Sequence, residues 1–409
     1  KWYPGATSNE HNTSLTALVS ADILHKVPDH WHQFSAPHPI WHPILGTLYC
    51  IIAVVSLIGN GLVLWVFSMT QSLRSGTNVL TMNLAASDLM MMFTNFPILI
   101  SNCFNKKWIL GPLACEFYGF CGALFGTVSI ITMALIALDR YHAIVTPFAG
   151  RRLTCGRALL WVLGAWLYSI LFCILPFFGW NQYVLEGFLT SCTFDYLSRD
   201  MWSRAYVILL FFVAYIFPLT VICCCYVKIV VSVNKHDEAL LASSRSEGVR
   251  HTSRNFQRRE AQLARVVFTS VFFWVLAWTP YAIMVLLGLF SFDNLLTPLT
   301  AMLPALFAKL FTVYNPFIYA VSHPKFRQEV AKKLPWLYCI MPPLPPMSQN
   351  SSIKSDTSSL HFLSRSASVV SSRIEKAKSD LPSPTTLMNT MSYNPGVRMY
   401  RDLTSGPVG

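Results

Sequence analysis

Residues 294–324 read NLLTPLTAMLPALFAKLFTVYNPFIYAVSHP, and a single Lys or Arg stands among them, Lys309. From Leu295 to Ser322 the stretch is apolar enough to cross a bilayer, with Lys309 about halfway along. A charged ammonium at that depth costs about 2.5–3.5 kcal/mol on insertion scales, so such a residue marks a functional site. Desolvation favours the neutral form of an amine, and a neutral amine is the nucleophile that condenses with an aldehyde to a Schiff base.

The same apolar character recurs along the chain. Of 409 residues 53% are hydrophobic and 12% charged, against roughly 25% charged in a soluble domain. Span-length windows find seven apolar stretches, at about 45–69, 79–103, 113–138, 157–180, 203–232, 265–290 and 295–321. The fold class is therefore an all-α membrane protein, a seven-helix bundle. A formal net charge of +12 raises the question of nucleic acid, but the basic residues concentrate in alternate loops and in the tail. Arg74, Arg151, Arg152, Arg157, Arg250, Arg254, Arg258, Arg259 and Arg265 assign one side as cytoplasmic, and Lys106, Lys107, Arg199 and Arg204 mark the other. The N-terminus is then outside, and the partner that the charge fits is a lipid membrane. Two of the eleven cysteines stand at outer positions where disulfides persist, Cys115 and Cys192, with Cys103 as a rival partner.

Polar residues recur inside the apolar stretches. Asn60 lies in the first and Asp88 in the second, where a carboxylate must face the interior. The third ends in Asp139-Arg140-Tyr141, a weak tripeptide by itself and a strong one at the inner end of the third of seven stretches. Pro218 and Pro280 are helix breakers and lead us to expect bends. Trp278-Thr279-Pro280-Tyr281 stands in the sixth stretch, and Asn315-Pro316-x-x-Tyr319 follows Lys309. Trp161 and Trp166 read as packing residues.

These motifs, spaced in this order over about 41–340, resemble the opsins among the family A G-protein-coupled receptors, and His323-Pro324-Lys325 resembles the arthropod, rhabdomeric type. The resemblance implies that Lys309 carries 11-cis retinal or a hydroxylated relative as a protonated Schiff base. Aligned on Cys192, Glu186 takes the counterion position of invertebrate pigments, while Tyr118 stands where vertebrate pigments carry a Glu. Tyr118, Trp278 and Tyr281 would line the retinal pocket. Asn95 stands where ultraviolet pigments resemble one another in carrying Lys, so a visible pigment is expected, blue favoured over green. The resemblance pairs Cys115 with Cys192 and links Asn60, Asp88 and Asn315 through water. It makes Asp139, Arg140, Tyr141, Asn315, Pro316 and Tyr319 a switch for a Gq-class G protein, with Glu260 holding Arg140 at rest.

Three domains follow. Residues 1–40 are an extracellular segment with a glycosylation sequon at Asn12, 41–340 are the receptor domain, and 341–409 form a disordered cytoplasmic tail. Residues 234–264 read as a charged loop. Pro324–Leu334 is amphipathic and basic, a helix for the inner leaflet, and Cys339 beyond it is a candidate for acylation. Tail residues Ser355, Thr357, Ser358, Ser359, Ser364, Ser366, Ser368, Ser371 and Ser372 suit a receptor kinase and arrestin. The expected location is the plasma membrane of a photoreceptor, the rhabdomere. The chain reads as a receptor and not an enzyme. Its rivals are an ion pump using Lys309 and Asp88, a retinal photoisomerase, and a receptor for a diffusible ligand. Light-driven current, isomer turnover without signalling, and the absence of any chromophore band would respectively favour them.

Overall fold

The structure, a computed structural model, describes residues 14–146, 153–242, 247–322 and 324–335, and the side chains of 18, 72, 236–242, 247–261, 263 and 319–325 lie outside that description. Among the described residues, seven helical stretches long and apolar enough to cross a membrane follow one another. The first four are α1 (Trp41–Met69), α2 (Gly76–Asn105), α3 (Gly111–Val145) and α4 (Cys155–Cys173). The fifth is α5 (Met201–Phe211) continued by α6 (Phe217–Ala242), the sixth is α7 (Glu247–Leu289), and the seventh is α8 (Pro298–Lys309) with α9 (Phe311–Ser322). Side-chain caps start several of them. Ser75 accepts from Asn78 N, Asp200 from Ser203 N, and Thr297 and Thr300 form a reciprocal capping box before α8.

The centre of the bundle is α3, which packs against α2, α4, α6, α7 and both strands of the hairpin that precedes α5. That hairpin, β1 (Tyr183–Glu186) with β2 (Ser191–Phe194), is antiparallel and pairs Leu185 with Cys192. Gly187 makes its turn at φ 60°, in the left-handed region where a side chain is strained. A disulfide joins Cys115 to Cys192 and holds the hairpin on α3, while Cys103 is a free buried thiol.

One expectation is corrected. Residues 234–264 are not a plain loop: α6 continues to Ala242 and α7 begins at Glu247. The Arg, Gln, Glu and Ala residues there are good helix formers, and helical neighbours extend them. Pro218 stands next to a π turn over Phe212–Ile216, where Tyr168 Oη donates to the Val213 carbonyl at 3.0 Å. Residues 15–33 wind three short 3-10 turns with Leu15, Ile23 and Trp31 fully buried, and Lys26 pairs with Glu116 at 2.8 Å.

The amphipathic segment after the seventh stretch is α10 (Pro324–Lys333), as its pattern predicts. Phe326 and Val330 are buried against Val63, Val66 and Phe67, with the Phe326 and Phe67 rings stacked at 5.5 Å. Asn12, Arg151, Arg152, Cys339, the tail residues and the side chains of Glu260 and Tyr319 lie outside the described residues.

Candidate functional site

Lys309 is the last residue of α8, and α9 resumes at Phe311. The seventh stretch is thus interrupted at the residue the sequence singles out. Thr312 Oγ1 donates to the freed Lys309 carbonyl at 3.0 Å. The Thr312 carbonyl in turn has lost its helical donor to Pro316, four residues on. Helix α1 replaces it: Asn60 Nδ2 donates at 2.8 Å and Ser56 Oγ at 3.2 Å. Asn60 therefore braces the turn that carries Lys309.

The Lys309 ammonium lies 5.9 Å from the centroid of the Tyr118 ring, within cation–π range. Lys309 lines a cavity of about 540 Å³ whose polar groups come from Asn95, Tyr118, Glu186, Thr193 and Tyr281. Asn95 Nδ2 donates to the Tyr118 carbonyl at 3.0 Å, tying α2 to α3 beside the lysine. Glu186 is 3% exposed. Tyr281 Oη donates to its Oε2 at 3.4 Å and sits 2.6 Å from Thr193 Oγ1. Burial pushes the Glu186 carboxyl up from 4.5 to about 7, against the opposing pull of the Lys309 ammonium and the Tyr281 hydroxyl.

A second cavity of about 580 Å³, lined by Val207, Phe211, Tyr215, Trp274 and Trp278 among others, shares Ala123, Phe194, Trp278 and Tyr281 with the first. Together they make one slot, polar at Lys309 and apolar beyond. Trp278 packs against Trp274, Tyr281 and Phe311 at 5.5–6.1 Å between ring centroids. Room for that indole comes from α3, where a Cβ on Gly126 would lie 2.9 Å from Trp278 Cη2. Among the described residues none gives Tyr118 Oη or Trp278 Nε1 a hydrogen-bond partner. An elongated apolar molecule with an aldehyde at one end fits these walls, its polar end at Lys309.

The comparisons with known proteins bear on the same span. Residues 59–319 match the model of the 7 transmembrane receptor (rhodopsin family). The chain belongs to this family. The rhodopsin of Cataglyphis bombycina is 40% identical over 331 residues, 80% of this chain and 87% of that one. The lateral eye opsin of Limulus polyphemus is 40% identical over 332 residues, 80% of this chain and 88% of its own length. Among solved structures, that of squid rhodopsin matches with a TM-score of 0.76 at 35% identity, over 82% of this chain and 98% of that one. The protein is an opsin-like receptor related to invertebrate visual rhodopsins, and not an enzyme. Membership of the family also makes it a multi-pass membrane protein that couples to heterotrimeric G proteins.

The end of the bundle away from the hairpin holds a second polar cluster. Arg140 bonds its neighbour Asp139, and both bond Thr77, whose Oγ1 donates to Asp139 at 2.6 Å and accepts from Arg140 at 2.7 Å. The sequence reading missed Thr77. It lies eleven residues before Asp88, on the same inward helix face, and that periodicity was the available signal. Asp88 accepts from Asn315 Nδ2 at 3.1 Å and from Ser129 at 3.4 Å. Trp166 does more than pack: its Nε1 donates to Asn83 at 2.9 Å. Tyr226, also missed, donates to the Ala264 carbonyl at 3.0 Å and ties α6 to α7. Tyr141 lies beside this contact, its ring 5.5 Å from Lys228 Nζ.

Proposed function

We propose that this chain is a visual pigment of rhabdomeric type, with 11-cis retinal or a hydroxylated relative attached covalently to Lys309, and that it activates a Gq-class G protein. The observation that carries this reading is the placing of Lys309 and Glu186 together at the polar end of one long apolar slot. The bound polyene would supply light absorption and a change of shape. The chain's own residues do the rest. Lys309 anchors the aldehyde end, and Glu186, steadied by Tyr281, offers the anion that a cationic Schiff base nitrogen needs in an apolar setting. Tyr118, Tyr281 and Trp278 confine the polyene, and a shape change against Trp278 is felt by α7 at Pro280. Asn95 adds no second cation beside Lys309, which supports visible absorption, blue before green.

Signalling follows at the inner end. Movement of α7 would free Arg140 from Asp139, Thr77 and Glu260 and open the G-protein crevice, with Tyr141, Asn315, Pro316 and Tyr319 as the moving neighbours. A ligand shifts such a balance by its differential interaction with the two states, and the photon changes that interaction. The N-terminal segment 1–40, with Asn12 as glycan acceptor, lies outside the rhabdomeric membrane. The receptor domain 41–340 spans it, and the tail 341–409 takes phosphates from a receptor kinase and binds arrestin.

The test is expression, addition of 11-cis retinal in darkness, and an absorption spectrum of the wild type and Lys309→Ala. A visible band that shifts on illumination, vanishes in the variant and drives nucleotide exchange on a Gq-class protein is the expected result. Folded protein without a band overturns it.

A further inference from the structure

Pro218 and Pro280 weaken the fifth and sixth stretches, and one side-chain hydrogen bond joins these stretches beside both prolines. Tyr215 stands three residues before Pro218, inside the π turn over Phe212–Ile216, and Thr279 stands immediately before Pro280 in α7. Their hydroxyl oxygens lie 2.8 Å apart. The Thr279 hydroxyl has one hydrogen, which it donates to the Val275 carbonyl at 2.6 Å. Tyr215 is therefore the donor and Thr279 the acceptor. The bond falls where α7 is least held by its own backbone, because Pro280 has no N–H to offer the Leu276 carbonyl four residues back.

The π turn is held from its other side as well. Tyr168 of α4 donates to the Val213 carbonyl at 3.0 Å and stacks on Phe217 at 6.5 Å between ring centroids. Two tyrosines thus suspend the turn between α4 and α7, and π turns are frequent at functional sites. This one borders the slot: Phe211, Ala214 and Tyr215 line its apolar part together with Trp274, Trp278 and Ala282 of α7. The Tyr215 ring stacks on Phe211 at 5.3 Å and lies 5.8 Å from Trp274, whose indole stacks on Trp278 at 5.5 Å. Packing alone does not call for the two hydroxyls, since Phe and Val would fill the same space with no polar group to satisfy. One side chain therefore both lines the slot and bonds α7 next to its proline.

We propose that Tyr215 is a positioning residue for α7. An occupant that presses on the apolar end of the slot displaces the π turn, the Tyr215 bond to Thr279 breaks, and α7 is released at Pro280. The polyene already assigned to the slot is that occupant, so the coupling to light rests on the retinal reading. The hold of Tyr215 on α7 in the empty receptor does not.

Amide hydrogen exchange in the unliganded, membrane-embedded protein, read on peptides covering 274–284, tests that hold. Tyr215→Phe and Thr279→Val should each quicken exchange there about three- to ten-fold, the effect of one lost hydrogen bond. The double variant should go no further, because the same bond is removed in all three. Thr279→Ser keeps the hydroxyl and should exchange as the wild type does. Wild-type rates in the folded single variants, an additive double variant or a fast Thr279→Ser overturns the proposal. A second arm uses the pigment: its light-minus-dark infrared spectrum should contain a tyrosine C–O band that Tyr215→Phe removes, and a spectrum unchanged by the substitution overturns the coupling to the slot. If no wild-type visible band forms, the retinal reading fails by itself, and the exchange rates still decide the role of Tyr215.

Discussion

Replacing Glu186 by Gln removes the carboxylate from the cavity that Lys309 lines while keeping its shape. Glu186 is 3% exposed, so solvent screens its charge little. A nearby opposite charge shifts a titrating group by about 1–3 units, each worth about 1.4 kcal/mol. In the pigment the visible band should therefore give way to a near-ultraviolet band at a pH about 1–3 units lower in Glu186→Gln. The Tyr281 bond to Glu186 is long, 3.4 Å, so Tyr281→Phe should move the midpoint less, by roughly half a unit to one unit. On the Glu186→Gln background the Tyr281 change should add nothing, because the two act through one interaction. In the empty protein the linkage has the opposite face. The carboxyl rises from 4.5 to about 7 on folding, so the native state binds the proton more tightly than the unfolded chain. The stability it adds is full below about 4.5 and is lost as pH rises through about 7, at most about 3 kcal/mol. Glu186→Gln should flatten that slope in thermal unfolding. Spectrophotometric titration is the assay, and an unmoved midpoint in Glu186→Gln would refute the counterion role.

Other substitutions probe other parts of the site. Gly126→Leu should fill the slot beside Trp278, where a Cβ would already lie 2.9 Å from the indole; the protein folds and takes up no retinal, as a missing visible band would report. Asn95→Lys places a second cation in the cavity that Lys309 lines, and the dark absorption maximum should move to the near ultraviolet; a maximum that stays visible counts against the tuning argument. Cys192→Ser frees the hairpin from α3 and should cost about 2–5 kcal/mol, measured as faster thermal decay of the pigment. Phe326→Ala empties the seat of α10 against Phe67 and should weaken its docking by about 3–5 kcal/mol; limited proteolysis should cut the segment while the dark spectrum is unchanged.

Much of the architecture was legible because a bilayer leaves few choices. Backbone groups in lipid must bond internally, so each long apolar run had to be a helix, and all seven runs are helical over nearly the expected limits. The period of Phe326 and Val330 was likewise enough to place α10 as a helix. Polar surroundings give no such constraint. Residues 234–264 were therefore misread as loop where α6 and α7 extend into them, and the burial of Leu15, Ile23 and Trp31, which no local pattern encodes, comes from neighbours far along the chain.

The site divides in the same way. By itself the sequence determined which residues cannot be bland, because a Lys at mid-membrane or a Pro in a helix carries its cost wherever the chain goes. It could not say what meets that cost. Only the tertiary structure decided that α1 bonds the Thr312 carbonyl freed by Pro316, that Thr77 closes the Asp139–Arg140 pair, and that Tyr281 reaches Glu186. Each of these contacts joins residues dozens to hundreds of positions apart, and no local propensity or periodicity encodes a distance across the bundle.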